Sequence, residues 1–224
     1  MGPVSRKSAV INAVWVGLLL LVVVPFALFA FERGVAVLGP DEQATSRLFH
    51  AGQPITTLSI YAHMVTGGLV TLLAPLQLVT SMRRRWPALH RALGRVVAVL
   101  AITTAIGGLG YIALHGTIGG PLMSAGFTLY GVLMLLSVVM TVRYAARRDP
   151  RHRLWAERLV ILALASWLYR VHYGIWQIVT GGVASRPDFS GLFDQVQVFA
   201  FYLPYLLIHT LIWQSRHSAQ QHLA

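Results

Sequence analysis

Apolar positions along this chain gather into six long runs, separated by short segments rich in Pro, Gly or clustered charge. The runs cover about 8–31, 55–81, 88–114, 121–145, 154–180 and 193–214, each close to or above the ~20 residues that cross a roughly 30 Å hydrocarbon core. Lipid offers no hydrogen bonds, so the backbone of each run must pair within itself, which predicts a helix. The pattern therefore predicts an all-α integral membrane protein with six transmembrane helices, a single membrane domain over 1–224. Helices two to five are expected to form a histidine-bearing four-helix core, with helices one and six at its flanks. The first run follows Ser5, Arg6 and Lys7, as a signal peptide would. Its stretch from Ala9 to Phe31 exceeds a signal h-region and lacks a clear small-x-small site, so it predicts a retained anchor.

Proline and glycine refine this picture. Pro87 and Pro150 stand at helix starts, where a missing N–H costs nothing, whereas Pro75 and Pro204 lie inside runs and predict kinks. Gly67, Gly68, Gly107, Gly108 and Gly110 open close-approach surfaces on helices two and three, which suit helix packing or the edge of a flat cofactor.

Composition agrees with a membrane protein: 56% of residues are hydrophobic and 11% charged, with a mean hydropathy of +0.64. The absence of cysteine excludes disulfides, thiolate metal sites and cysteine nucleophiles. A net charge of +11 raises nucleic acid as a partner. The basic residues, however, sit in short clusters between apolar runs and not on an aromatic-laced polar face, so no nucleic acid is expected. Their distribution is topological instead. Arg83, Arg84, Arg85, Arg91 and Arg95 occupy one turn, and Arg143, Arg147, Arg148, Arg151, Arg153 and Arg158 surround the turn before helix five. With Arg6, Lys7 and Arg216 they share one side, which holds only Asp149 and Glu157 as carboxylates. Opposite them stand Arg33, Arg47 and Arg186 against Glu32, Asp41, Glu42, Asp188 and Asp194. The positive-inside rule places both termini and the two arginine turns in the cytoplasm, here that of a bacterial inner membrane.

The nine histidines matter by depth. His63 lies roughly 12 Å from the outer end of helix two and His172 roughly 12 Å from the outer end of helix five, at 1.5 Å per residue. Level imidazoles facing each other across a bundle are what a six-coordinate haem iron needs; an interhelical hydrogen bond is the alternative. His90 in "WPALHRALGR" and His152 in "DPRHRLWAER" form a second pair at the cytoplasmic edge, roughly 18 Å away for a 30 Å core. Arginines flank both, and Arg91, Arg95 or Arg158 could pair with haem propionates. Topology alone accounts for basic residues there and is the simpler reading. His209 is a spare ligand, while His50, His115, His217 and His222 receive no chemistry. Arg170, the sole charge within a span, is expected to be a buried counter-charge between the two sites, the alternative being a snorkelling side chain or a cation–π contact. Gln77 is expected to bond another helix. No Walker A loop, G-x-S-x-G or H-E-x-x-H occurs, and every Asp and Glu lies in a loop or at a helix edge. This argues against hydrolases, ATPases and carboxylate-based proton-coupled transport.

The run from His63 through Gly67, Pro75 and Gln77, followed by "RRRWPALHRALGR" and "RHRLWAERLVILALASWLYR", resembles a bacterial predicted-membrane-protein family, domain of unknown function 2306. The similarity covers roughly residues 55 to 175. Its motifs fall on His63, on His90, Arg91, Gly94 and Arg95, and on His152, Trp155 and Arg158, with Arg170 late in helix five. The family implies no activity. The histidine-bearing helices also look like those of two-haem transmembrane cytochrome b proteins, which reduce ferric iron or oxidised ascorbate across membranes. That resemblance implies haem b, one or two per chain, held by His63, His172, His90 and His152.

Two functions compete. The first is a haem b electron carrier or transmembrane oxidoreductase, fed by a quinone-like or ascorbate-like small-molecule donor. The second is a non-catalytic membrane protein, a small-molecule permease or assembly partner, with an internal His/Arg network. Both have the lipid bilayer as partner and are compatible with a homodimer.

Overall fold

A computed structural model describes residues 6–46 and 48–221. Arg47 and His222 lie outside the described residues, as do the side chains of Arg6 and His217. The described chain is helical, with no strand. In order its helices are α1 (Arg6–Val35), α2 (Pro40–Thr45), α3 (Pro54–Leu73), α4 (Thr80–Arg85), α5 (Pro87–His115), α6 (Gly120–Ala146), α7 (Arg151–Thr180), α8 (Leu192–Ala200) and α9 (Leu203–Gln221). Six stretches are long and apolar enough to cross a membrane, and they coincide with the six runs in the sequence: Lys7–Leu38, Pro54–Leu78, Pro87–His115, Gly120–Ala146, Arg151–Thr180 and Leu192–Arg216. Protein covers at most a third of any of them. Side chains such as Leu21, Leu58 and Ile178 are left outward at 70% exposure or more. Apolar surface on that scale belongs against lipid.

Pro75 and Pro204 each accompany a break in their helix, whereas Pro25 lies inside the uninterrupted α1. At Pro75, α3 gives way to a 3-10 turn over Ala74–Leu78, because the ring removes an N–H and crowds the preceding turn. In the sixth span the helix stops at Ala200 and restarts at Leu203, with Pro204 in the first turn of α9. The turn between the second and third spans is not plain loop, since it holds α4. Asn12 of α1 anchors that short helix: its Oδ1 accepts the Thr80 backbone N–H at 2.9 Å and the Thr80 hydroxyl at 3.2 Å.

The chain forms two compact units, Met1–His115 and Gly116–Ala224. In the first, α3 packs against both α1 and α5. Small residues set the spacing: a Cβ added at Gly68 would come within 2.8 Å of the Ala27 carbonyl oxygen, and one at Gly107 within 2.7 Å of that of Ser59. Backbones this close gain dispersion contacts that lipid tails cannot match. α1 is thus built into α3 as firmly as α5 is. In the second unit α6 lies along α7, and α8 closes on α6. Its centre holds Tyr130, Met134, Leu162, Ala165, Val198, Phe201 and Tyr202, all buried. The two buried phenols find backbone acceptors, Tyr130 on the Leu162 carbonyl at 2.6 Å and Tyr202 on that of Gly126 at 3.1 Å, as an apolar interior requires.

Candidate functional site

In the first unit His63 projects from α3 onto α5. Its Nδ1 lies 2.8 Å from the Thr104 carbonyl oxygen. A carbonyl only accepts, so Nδ1 carries the proton of the neutral ring and Nε2 carries the lone pair. Below it the Thr104 hydroxyl donates to Thr66 Oγ1 at 2.8 Å, and Thr66 donates to the Ala62 carbonyl at 2.7 Å. The glycines of this seam are occupied by protein. Gly108 lies under the His63 ring, and a Cβ at Gly67 would meet Thr104 Cγ2 at 3.5 Å. Gly67, one turn from His63, therefore faces α5 and leaves no gap for a porphyrin edge.

Nearer the arginine end of this unit, His90 is half-buried in the first turn of α5, while Arg91 and Arg95 are exposed. Gln77 reaches α5, where a Cβ on Gly94 would lie 3.5 Å from its Oε1. Its Nε2 is buried with no partner among the described residues.

In the second unit His152 repeats the arrangement of His63. Its Nδ1 lies 3.0 Å from the Thr141 carbonyl oxygen of α6, so here too the lone pair sits on Nε2. His172 differs. Its Nδ1 faces Gln197 Nε2 at 2.8 Å and its Nε2 faces the Tyr205 hydroxyl at 2.7 Å. With the amide donating to Nδ1, Nε2 bears the proton and donates to Tyr205. Both nitrogens are engaged, which ties α7 to α8 and α9. The two pairs expected from the sequence, His63 with His172 and His90 with His152, each take one histidine from either unit.

The arginines divide as well. Arg158 is held inside the second unit: Nη2 donates to Thr210 Oγ1 at 3.0 Å and the guanidinium lies 4.7 Å from the Trp155 ring centre. Arg170 reaches the accessible surface, although protein atoms crowd its guanidinium. Its Nη1 donates to the Ser166 carbonyl one turn back at 3.0 Å. The charge expected here as a counter-charge makes this bond along its own helix. His209, the spare ligand, accompanies Glu157 with Nε2 2.9 Å from Oε2, and Arg153 holds the other carboxylate oxygen at 2.7 Å.

This geometry carries the motifs of the sequence on one scaffold, and a family model described as a predicted membrane protein, DUF2306, matches residues 60–213. The chain belongs to the DUF2306 family. No curated protein and no solved structure matches it. The match spans His63, His90, His152, His172 and Arg170, and with them the polar partners Thr104, Thr141, Gln197 and Tyr205.

Two features escaped the sequence reading. Asp194, an outer-side charge at the edge of the sixth run, is 1% exposed and accepts four hydrogen bonds. Tyr173 and Ser185 donate hydroxyls to Oδ1 at 2.7 and 2.8 Å, and the backbone N–H groups of Arg186 and Gly191 each reach Oδ2 at 2.9 Å. The readable signal was a glycine three residues before an acid at the start of an apolar run, a helix cap. The second feature is the cluster of His50, Tyr111 and His115, in which the two imidazoles lie 4.0 Å apart and the Tyr111 hydroxyl 3.5 Å from His50 Nε2. Burial and the neighbouring His115 push the His50 pKa below its usual value. Among the described residues no three His, Asp or Glu side chains converge as a metal cage.

Proposed function

We propose that this protein is a membrane electron carrier that would hold haem b by histidine imidazoles. The supporting observation is the pair of backbone clamps on His63 and His152. In each, a threonine carbonyl holds the proton on Nδ1 and turns a basic Nε2 outward from the clamp. An iron-ligating histidine needs that tautomer fixed in this way. The donor chemistry of these two residues fits haem, and Arg91 and Arg95, both exposed, suit its propionates. Arg158 is already engaged by Thr210 and Trp155, and His172 reaches iron only if Tyr205 or Gln197 gives up its bond. Bound haem would supply a one-electron Fe(III)/Fe(II) couple. The residues themselves hold the imidazoles, fix their protons and supply cationic charge. The charge asymmetry supports an inner-membrane location with the arginine turns and both termini cytoplasmic, and a bilayer-soluble quinone-class donor would meet the carrier there.

A non-catalytic protein with an internal polar network is the second reading, favoured by the saturated His172. The absorbance spectrum of the purified full chain, expressed with haem precursor, separates the two. The carrier shows a Soret band with split visible bands on dithionite reduction, and His63→Ala and His152→Ala each lower haem content. Colourless wild-type protein would leave the second reading standing.

A further inference from the structure

The arginine ends of the two units are built differently. In the second unit two arginines are matched from within, although Arg143, Arg147 and Arg148 stand exposed beside them: Arg151 meets Asp149 at 2.7 Å and Arg153 meets Glu157 at 2.7 Å. The Arg151 guanidinium holds the Asp149 carboxyl below its ordinary range. The first unit has nothing comparable, because no carboxylate occurs anywhere between Gln43 and Arg148. Its acids, Glu32, Asp41 and Glu42, lie in the last turn of α1 or in α2. Lys7, Arg83, Arg85, Arg91 and Arg95 therefore concentrate cationic charge at an end with no anion of its own, and all five are exposed. Membrane topology requires positive charge at both ends. It does not require one end to be left without counter-charge.

The surroundings say what kind of anion fits. α4 lies where the second span ends and the third begins, the level of lipid headgroups. Met82 faces inward, 8% exposed, while Trp86 is 61% and Leu89 51% exposed. These two and Arg85, Pro87 and Ala88 line a shallow recess of about 510 Å³. Apolar rings beside guanidinium groups at a span end match a ligand with a phosphate and an acyl-glycerol edge. Tryptophan prefers this level, and juxtamembrane arginine clusters attract anionic lipid.

We infer that the arginine end of the first unit is a binding surface for anionic phospholipid, with Arg83, Arg85, Arg91 and Arg95 taking the phosphate and Trp86 and Leu89 the glycerol edge. Guanidinium forks suit phosphate oxygens in pairs. The inference does not depend on haem.

The test uses the full chain in lipid nanodiscs that mix phosphatidylcholine with phosphatidylglycerol or cardiolipin, with retained lipid counted by native mass spectrometry. Wild type is expected to keep anionic lipid in excess of its mole fraction. The double variants R83Q/R85Q and R91Q/R95Q should each weaken that retention about thirtyfold, given roughly 1 kcal/mol per arginine. R151Q/R153Q, which removes the two arginines already paired with carboxylates, should change it less than twofold. If the glutamine variants fail to insert, the wild type still decides, because its anionic enrichment must fall as sodium chloride rises. Enrichment indifferent to salt, equal retention of phosphatidylcholine, or displacement by inorganic phosphate would each overturn the inference. Haem loss with lipid retention unchanged in R91Q/R95Q would overturn the assignment of those two arginines and give them to propionates.

Discussion

Gly108 is the seat of the His63 ring: a Cβ built on it would stand 2.8 Å from Nδ1 and 3.1 Å from Cε1. The helix is close enough for Thr104 to hold the imidazole only because that position has no side chain. Gly108→Ala should push the ring off the Thr104 carbonyl and destabilise the protein by about 1–3 kcal/mol. Denaturation in mild detergent measures the loss, and haem content measures the effect on ligation. An unchanged melting curve would show that the ring is not seated there.

Asp194 should be the most sensitive carboxylate in the second unit. Asp194→Ala leaves two hydroxyls and two backbone N–H groups without their acceptor, a loss of roughly 3 kcal/mol or more. Asp194→Asn, which keeps one carbonyl oxygen, should cost less. Protease cleavage in the 181–191 loop reports the change, and equal stability of the two variants would contradict the four-bond cap.

His172, Gln197 and Tyr205 should act as one unit. A double-mutant cycle with His172→Leu and Tyr205→Phe is expected to give a coupling of about 0.5–1.5 kcal/mol. Additive effects would mean that the 2.7 Å contact contributes nothing to holding α9 on α7.

His50 gives a pH dependence with a definite sign. Its folded pKa lies below the unfolded value near 6.5, so the unfolded chain takes up the proton first. The His50 contribution is complete above about pH 6.5 and is lost as pH falls toward the depressed folded value. The protection factor for hydrogen exchange in the 48–53 segment, taken relative to the intrinsic rate at each pH, should therefore fall as pH drops below about 6.5, and His50→Asn should remove the dependence.

Six spans were readable in the sequence because length and hydropathy are local properties, and the starts at Pro87 and Gly120 fell within a residue of expectation. The consequence of an internal proline was read too mildly: Pro75 and Pro204 mark the ends of α-helical geometry, not bends within it. Side-chain partners were harder to read. The equal depths of His63 and His172 were computable from residue rise, but which atoms the rings meet depends on helix rotation, and a rotation of one residue position is 100°. Thr104 and Thr141 are ordinary threonines in apolar runs, and nothing local announces that their carbonyls receive histidine. Asp194 was legible only as charge, since its burial depends on the loop that folds back over it.

The interruption at Phe201 and Tyr202 bears on biosynthesis. Both residues are wholly buried, and Tyr202 donates to the Gly126 carbonyl of α6. An open turn of backbone is tolerated at membrane depth only where protein, and not lipid, surrounds it. The last span is thus poorly suited to leave the translocon alone, and α6 must already be in the bilayer to receive it. Insertion of this half of the chain then becomes ordered, with α6 and α7 first and the broken span closing afterwards. A chain halted after α7 should remain open to chaperones and membrane proteases until Phe201 finds its place.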